Sequence, residues 1–231
     1  MGTSLTKHLD IDNLPATEDD ISAAIEKAVG GATTSGGSGD YLRFSGKTGV
    51  YKLGRNDDPV DPDQLYLVEP KSFIQGWTCW KANKPIDRLV WSIYDDDELG
   101  VAEEDLRSHG PYRESAGEGW VEMLGTGLIA CDAVLSEVLF TSTSRSGRNS
   151  IGKMMVDAGA RSKANEPHMP LIYFDSVTFE AQGHTNYKPV LRPEAWVTRS
   201  SAAAYLVGDL NLDQLVAGDK AKKRRKARKK K

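Results

Sequence analysis

Cysteine and histidine are scarce in this chain, with two and four among 231 residues. Cys79 and Cys131 stand far apart with no C-x-x-C spacing, so they read as buried free thiols of a reducing compartment rather than a disulfide. His8, His109, His168 and His184 are scattered, no metal-ligand spacing is legible, and neither a metal nor a cofactor is expected. No stretch approaches the ~20 apolar residues of a membrane helix. The opening MGTSLTKHLDIDNL lacks the apolar run of a secretory signal. Neither a G-x-S-x-G elbow nor a local Cys–His signature is present. These absences point to an intracellular chain that is not an enzyme and has no membrane partner.

Charge is plentiful but unevenly placed. Residues 220–231 (KAKKRRKARKKK) hold ten of the thirty Lys and Arg side chains, and no acid. Without them, twenty bases face 33 acids, so residues 1–219 carry −13. A block of like charge repels itself and packs no core, so the tail is expected to be disordered and to attract polyanions by neutralising phosphates. A nuclear-localisation signal, or a contact with the acidic body of the same chain, fits the same composition.

The rest divides by pattern. TEDDISAAIEKAV, from Thr17, predicts an N-terminal amphipathic helix within residues 1–29: acids fill its first turn, and Ile21, Ala24, Ile25 and Ala28 repeat at helical spacing. Residues 30–39 (GGATTSGGSG) form a flexible linker by composition. From Asp40 to about residue 198, short runs rich in aromatic and β-branched residues alternate with turns such as ANKP (Ala82–Pro85) and AQGHTN (Ala181–Asn186). Asp95–Gly110 reads as a charged loop with a short helix. One internal helix is expected from about Ser150 to Lys163, and residues 199–219 read as a further helix or linker. The fold class is mainly β with one internal helix, as an OB-like β-barrel.

Two motifs invite a nucleotide reading. GRNSIGK (Gly147–Lys153) fits G-x-x-x-x-G-K, but Met154 stands where a P-loop has the Ser or Thr that holds magnesium. SGKTG (Ser45–Gly49) has Tyr41 where the first glycine belongs. A degenerate P-loop hydrolase using Lys153 is therefore an alternative. A phosphate cradle suits the first segment better, since Arg145, Arg148 and Lys153 gather with several hydroxyls near a helix start. Plain capping by one of the serines fits the same residues.

Elsewhere bases interleave with aromatics and acids are missing. DYLRFSGKTGVYKLGR carries Tyr41, Arg43, Lys47, Tyr51 and Lys52. Alternation puts Tyr41 and Arg43 on one face and Leu42 and Phe44 on the other. KSFIQGWTCWKANKP carries Trp77, Trp80, Lys81 and Lys84, with Trp77 and Trp80 on opposite faces. Tyr187 and Lys188 continue the pattern. Rings beside cations suit single-stranded nucleic acid, whose bases stack while its phosphates meet the basic side chains. A core role for the same aromatics is the competing reading.

At GWTCWKANKP, FTSTSRSGRNSIGKM and YKPVLRPEAWV the chain resembles a group of uncharacterised bacteriophage and prophage proteins, over roughly Tyr41 to Val197. By layout it is similar to phage single-stranded DNA-binding proteins with an OB-type barrel, although those commonly end in an acidic tail. The resemblance implies single-stranded DNA (RNA remaining open) as the partner, in the host cytoplasm or nucleoid, or the nucleus of a eukaryotic host. Expected contacts are Tyr41, Tyr51, Trp77, Trp80 and Tyr187 with bases, and Arg43, Lys47, Lys52, Lys81, Lys84, Arg145, Arg148, Lys153 and Lys188 with phosphates. Replication or recombination proteins and a second copy of the chain are further candidate partners. The other alternative is an interaction or structural protein that its tail anchors to nucleic acid.

Overall fold

The computed structural model describes residues 40–54, 56–94, 101–133, 135–181 and 183–217. The N-terminal helix, the Gly/Ser linker and the basic tail lie outside the described residues. Runs that alternate or are continuously apolar become strands, as their β-branched and aromatic content dictates. These are β1 (Asp40–Phe44), β2 (Tyr51–Leu53), β3 (Asp58–Pro59), β4 (Tyr66–Val68) and β5 (Ile74–Lys81), followed by β6 (Lys84–Ser92), β7 (Gly119–Ala130), β8 (Glu137–Ser142), β9 (Met169–Ala181) and β10 (His184–Val197). The ANKP segment joins two antiparallel strands, and the hairpin expected at AQGHTN forms. Lys81 pairs with Lys84 across Ala82 and Asn83, whose φ angles of 51° and 61° suit a tight two-residue turn. Ala181 pairs with His184 around Gly183 at φ 75°.

All ten strands belong to one sheet, whose main path runs β10-β9-β4-β7-β8-β1-β2-β3. The long strand β7 is its hub: Gly119–Gly125 pairs with β5, Leu124–Ile129 with β8 and Leu128–Ala130 with β4. The β5–β6 hairpin therefore projects from the main path as a wing. At the other end the path bends back on itself. The Tyr187 N–H donates to the Gly46 carbonyl at 2.9 Å, joining β10 to the β1–β2 loop. The sheet is thus curled into a half-barrel.

The curl encloses a core of Leu42, Tyr51, Tyr66, Val68, Phe140, Ile172 and Phe174. Helix α1 (Arg145–Lys163) completes that core with Ile151, Met154 and Ala158, spaced to share one face. It is tied to β10 by the Leu191 N–H, which donates to Ser150 Oγ at 3.0 Å. Arg161 lies over the Trp196 ring, 4.4 Å from its centroid. The helix starts five residues before the expected Ser150. Ser144 caps it by accepting the Gly147 N–H at 3.1 Å, so Arg145–Asn149 belong to the helix itself.

A second apolar cluster (Leu67, Met169, Leu171, Ala195, Val197) covers the outer side of the sheet under α2 (Arg199–Leu206) and Leu215. Arg199 pairs with the buried Glu69 carboxylate at 2.9 Å and fixes α2 to the chain just after β4. In the charged insertion only a single 3-10 turn (Glu103–Asp105) forms among the described residues.

Candidate nucleic-acid interface

Register decides which side chains meet beside the wing. Gln75 pairs with Trp91 on one side and Leu124 on the other, and Trp77 pairs with Leu89 and Glu122. Residues directly opposite across a sheet share a face. Gln75, Trp77, Trp91, Glu122 and Leu124 therefore stand on the face that α1 approaches. Between this face and the first three turns of α1 lies an open groove of about 1060 Å³. Its helix wall presents Arg145, Arg148, Asn149, Lys153 and Val156. The sheet side of the groove thus carries two tryptophans and apolar residues around Gln75 and Glu122, the helix side carries three bases and Asp157, and Val156 is left 70 % exposed.

The segment after residue 100 straps across the same face of the wing. The Trp77 indole N–H donates to the Val101 carbonyl at 2.9 Å, and that of Trp120 to the Arg107 carbonyl at 2.8 Å. Lys81 Nζ donates to the His109 carbonyl at 2.9 Å, while His109 Nε2 lies 2.7 Å from Asp87 Oδ2. Tyr112 closes the strap against the buried Cys79 and accepts the His109 N–H at 2.7 Å. The strap fixes the pitch of Trp77 and ends the groove at Val101.

Electrostatics within the groove are local. Arg148 pairs with Glu122 across it, and Lys153 pairs with Asp157 one turn along α1 at 2.6 Å. Arg145 is exposed and makes no ion pair among the described residues. Two donors are buried without an acceptor on this side, Trp91 Nε1 and Arg148 Nε. Away from the groove, Arg192 holds the Asp175 carboxyl below its ordinary value through a direct hydrogen bond. Burial pushes the Cys131 thiol up to about 11, so it stays a thiol at neutral pH.

Four of the expected contact residues meet in the groove: Trp77, Arg145, Arg148 and Lys153. The remainder are spread elsewhere. Tyr187 and Lys188 on β10 lie beside the β1–β2 turn that carries Lys47, where the Tyr187 ring packs on Gly49 so closely that a Cβ there would lie 2.5 Å from it. Arg43 and Lys52 are drawn to Asp57, at 2.5 and 3.6 Å. Tyr41 is half-buried against Ile74, Met123 and Leu139 on the outer face of the sheet. Trp80 is half-buried out of phase with Trp77, and Lys84 is exposed at the hairpin tip.

Tyr51 requires a correction. It is only 6 % exposed, ringed by Phe44, Phe140 and Phe174, and has no free face for a base. The curl of the sheet turns β2 inward and makes Tyr51 core. Trp91, in contrast, was not among the expected contacts and lines the groove. GRNSIGK does not form a loop: Gly147–Lys153 lies wholly inside α1, where a P-loop would need its glycines to wrap phosphate ahead of the helix. Among the described residues no group of three or more His, Cys, Asp or Glu side chains is placed to hold a metal ion. No described helix is long and apolar enough to cross a membrane.

No protein-family model, no curated protein and no solved structure matches this chain.

Proposed function

We propose that this chain is a non-catalytic single-stranded DNA-binding protein of bacteriophage replication or recombination, built on an OB-like half-barrel. One observation carries the reading: Trp77 and Trp91 stand on one sheet face, directly across a groove from Arg145, Arg148 and Lys153. Stacking platforms opposite cations match a splayed strand, whose bases lie on one side and phosphates on the other. A duplex keeps its base faces stacked inside and offers the tryptophans nothing to stack on. The basic tail adds a contact without sequence or strand preference. The phage setting rests on the motifs GWTCWKANKP and FTSTSRSGRNSIGKM.

The reading is tested by anisotropy titrations of a thymidine oligonucleotide and a matching duplex, at several salt concentrations, with the full chain, residues 1–219 and Trp77→Ala. The expected result is a preference for the single strand that survives in 1–219. Trp77→Ala should weaken it by about 5- to 150-fold, the range for one lost stacking ring. Equal affinity for both forms in 1–219 overturns the reading. Loss of all binding with the tail would assign the contact to the tail alone and favour an anchored interaction protein.

A further inference from the structure

We infer that Glu122 occupies Arg148 in place of a phosphate, and that a strand phosphate entering the groove displaces it and takes the buried donor that Glu122 leaves without an acceptor, Arg148 Nε. This rests on the reading of the groove as a single-strand site and says how that site is regulated. The pair spans the groove, because Glu122 lies opposite Trp77 on β7 and Arg148 lies in the first turns of α1. It therefore stands between the aromatic floor and the basic wall. Its two members are unequally held, with Glu122 61 % exposed and Arg148 27 %. The carboxylate is the partner free to swing into water, and the guanidinium is the one that stays.

The hydrogen bonds at the pair point the same way. Glu122 satisfies one terminal N–H of Arg148 and leaves Nε buried and unpaired. The Nε–H and one Nη2–H point the same way and form the edge that gives two parallel bonds to one phosphate, which competes with Glu122 on Nη1 for the same guanidinium charge. An unpaired buried donor carries a standing desolvation cost, so a ligand rich in acceptors is favoured there and a ligand of donors is not. Phosphate also repels the Glu122 carboxylate, which makes the exchange one-sided. Glu122 thus lowers affinity and admits only anions able to take Arg148 from it.

The effect is inherently small, since a pair this exposed contributes at most about a fivefold change. The experiment is an anisotropy titration of a thymidine oligonucleotide, and of a matching duplex, against the full chain. The variants are Glu122→Gln, Arg148→Met and the double change, with Glu103→Gln as a charge-matched control on the strap. Glu122→Gln should tighten binding about two- to fivefold, and the gain should vanish in the Arg148→Met background. Methionine keeps the apolar stem of the arginine, and a thermal melt checks the fold. A gain that persists without Arg148, or one matched by Glu103→Gln, reflects general charge and overturns the inference. If the wild type prefers the single strand over a matching duplex and Glu122→Gln gains nothing, the inference alone fails. If wild type and variant bind single strand and duplex alike, the reading of the groove fails with it.

Discussion

Tyr51 donates its hydroxyl hydrogen to the Asp175 carbonyl at 2.9 Å, and the same oxygen accepts the Val190 N–H at 3.0 Å. Asp175 and Val190 face each other across the β9–β10 hairpin. One phenol from β2 thus inserts between them and holds the two ends of the sheet path together. Burial keeps its pKa well above the ordinary tyrosine value, so it remains a donor at neutral pH.

Tyr51→Phe keeps the packing against Phe44, Phe140 and Phe174 but strands a carbonyl and an N–H. The expected loss is about 1–3 kcal/mol, the cost of leaving buried polar groups unpaired. Urea denaturation checks it. Affinity for a single strand should not change, because Tyr51 is on no open surface; a weakened affinity in a fully folded Tyr51→Phe protein would return Tyr51 to the contact set.

Gly147 carries a steric prediction of the opposite sign to helix propensity. A Cβ at this position would lie 2.0 Å from Ser142 Oγ and 2.5 Å from Ser142 Cβ. Ser142 ends β8, so its Cβ cannot move without the strand. Gly147→Ala should therefore destabilise by about 1–3 kcal/mol, as overpacking does. Gly159, also in α1, faces open space, and a methyl group added there would meet nothing within 4 Å. Gly159→Ala should stabilise by about 0.5–1 kcal/mol through propensity alone. Thermal melts of the two variants, shifting in opposite directions, would show that the first glycine of GRNSIGK is a packing residue.

Much of the fold was legible because its signals are local. Alternation put Leu42 and Phe44 together on one face, which is the core side, and Arg43 on the other, and the turn-rich AQGHTN marked the β9–β10 hairpin. The failures are non-local or hang on one residue. Counting back from the Lys81–Lys84 turn without a bulge pairs Gln75 with Val90 and sends Trp91 to the opposite face. A register shift between Cys79 and Trp80 pairs Gln75 with Trp91 instead and brings that indole into the groove. Nothing near Trp91 in the chain announces this, and an acidic run follows it. Tyr51 failed for a different reason: its burial follows from the curl, which depends on β10 returning to the β1–β2 loop some 140 residues later.

The groove and the tail should separate in their salt dependence. Each phosphate neutralised on a single strand contributes a slope of about −0.7 to log K against log salt. Arg145→Ala should therefore reduce the slope by about 0.7 for the oligonucleotide and leave the duplex nearly unchanged. Removing residues 220–231 should reduce it for both. Lys153→Ala should do less than Arg145→Ala, because Asp157 already neutralises Lys153. Identical changes for duplex and single strand in Arg145→Ala would place that arginine outside a single-strand groove.

Glu118 gives the acid limb of stability. Its Oε1 accepts the Ala82 N–H at the β5–β6 turn and the Arg113 Nε–H, at 3.1 and 2.9 Å, and its Oε2 accepts the Arg113 backbone N–H at 2.9 Å. The carboxylate thus ties the tip of the wing to the start of β7, and its side chain is only 4 % exposed. The Arg113 side chain first, then the two backbone donors, hold its pKa down to about 2, from an ordinary 4.5. A carboxyl depressed on folding contributes stability that is complete above the unfolded value and is lost as pH falls toward the folded one. The contribution is therefore full above about pH 5 and declines between about 4.5 and 2. Glu118→Gln keeps an acceptor for one donor but puts an amide against the others. The stability gap between wild type and Glu118→Gln, followed by urea melts, should be constant from about pH 8 to 5, shrink by about pH 3 and nearly close near pH 2. A gap that does not change with pH would mean that this carboxylate is not held by Arg113, and that the strap and the wing are joined by the neighbouring contacts instead.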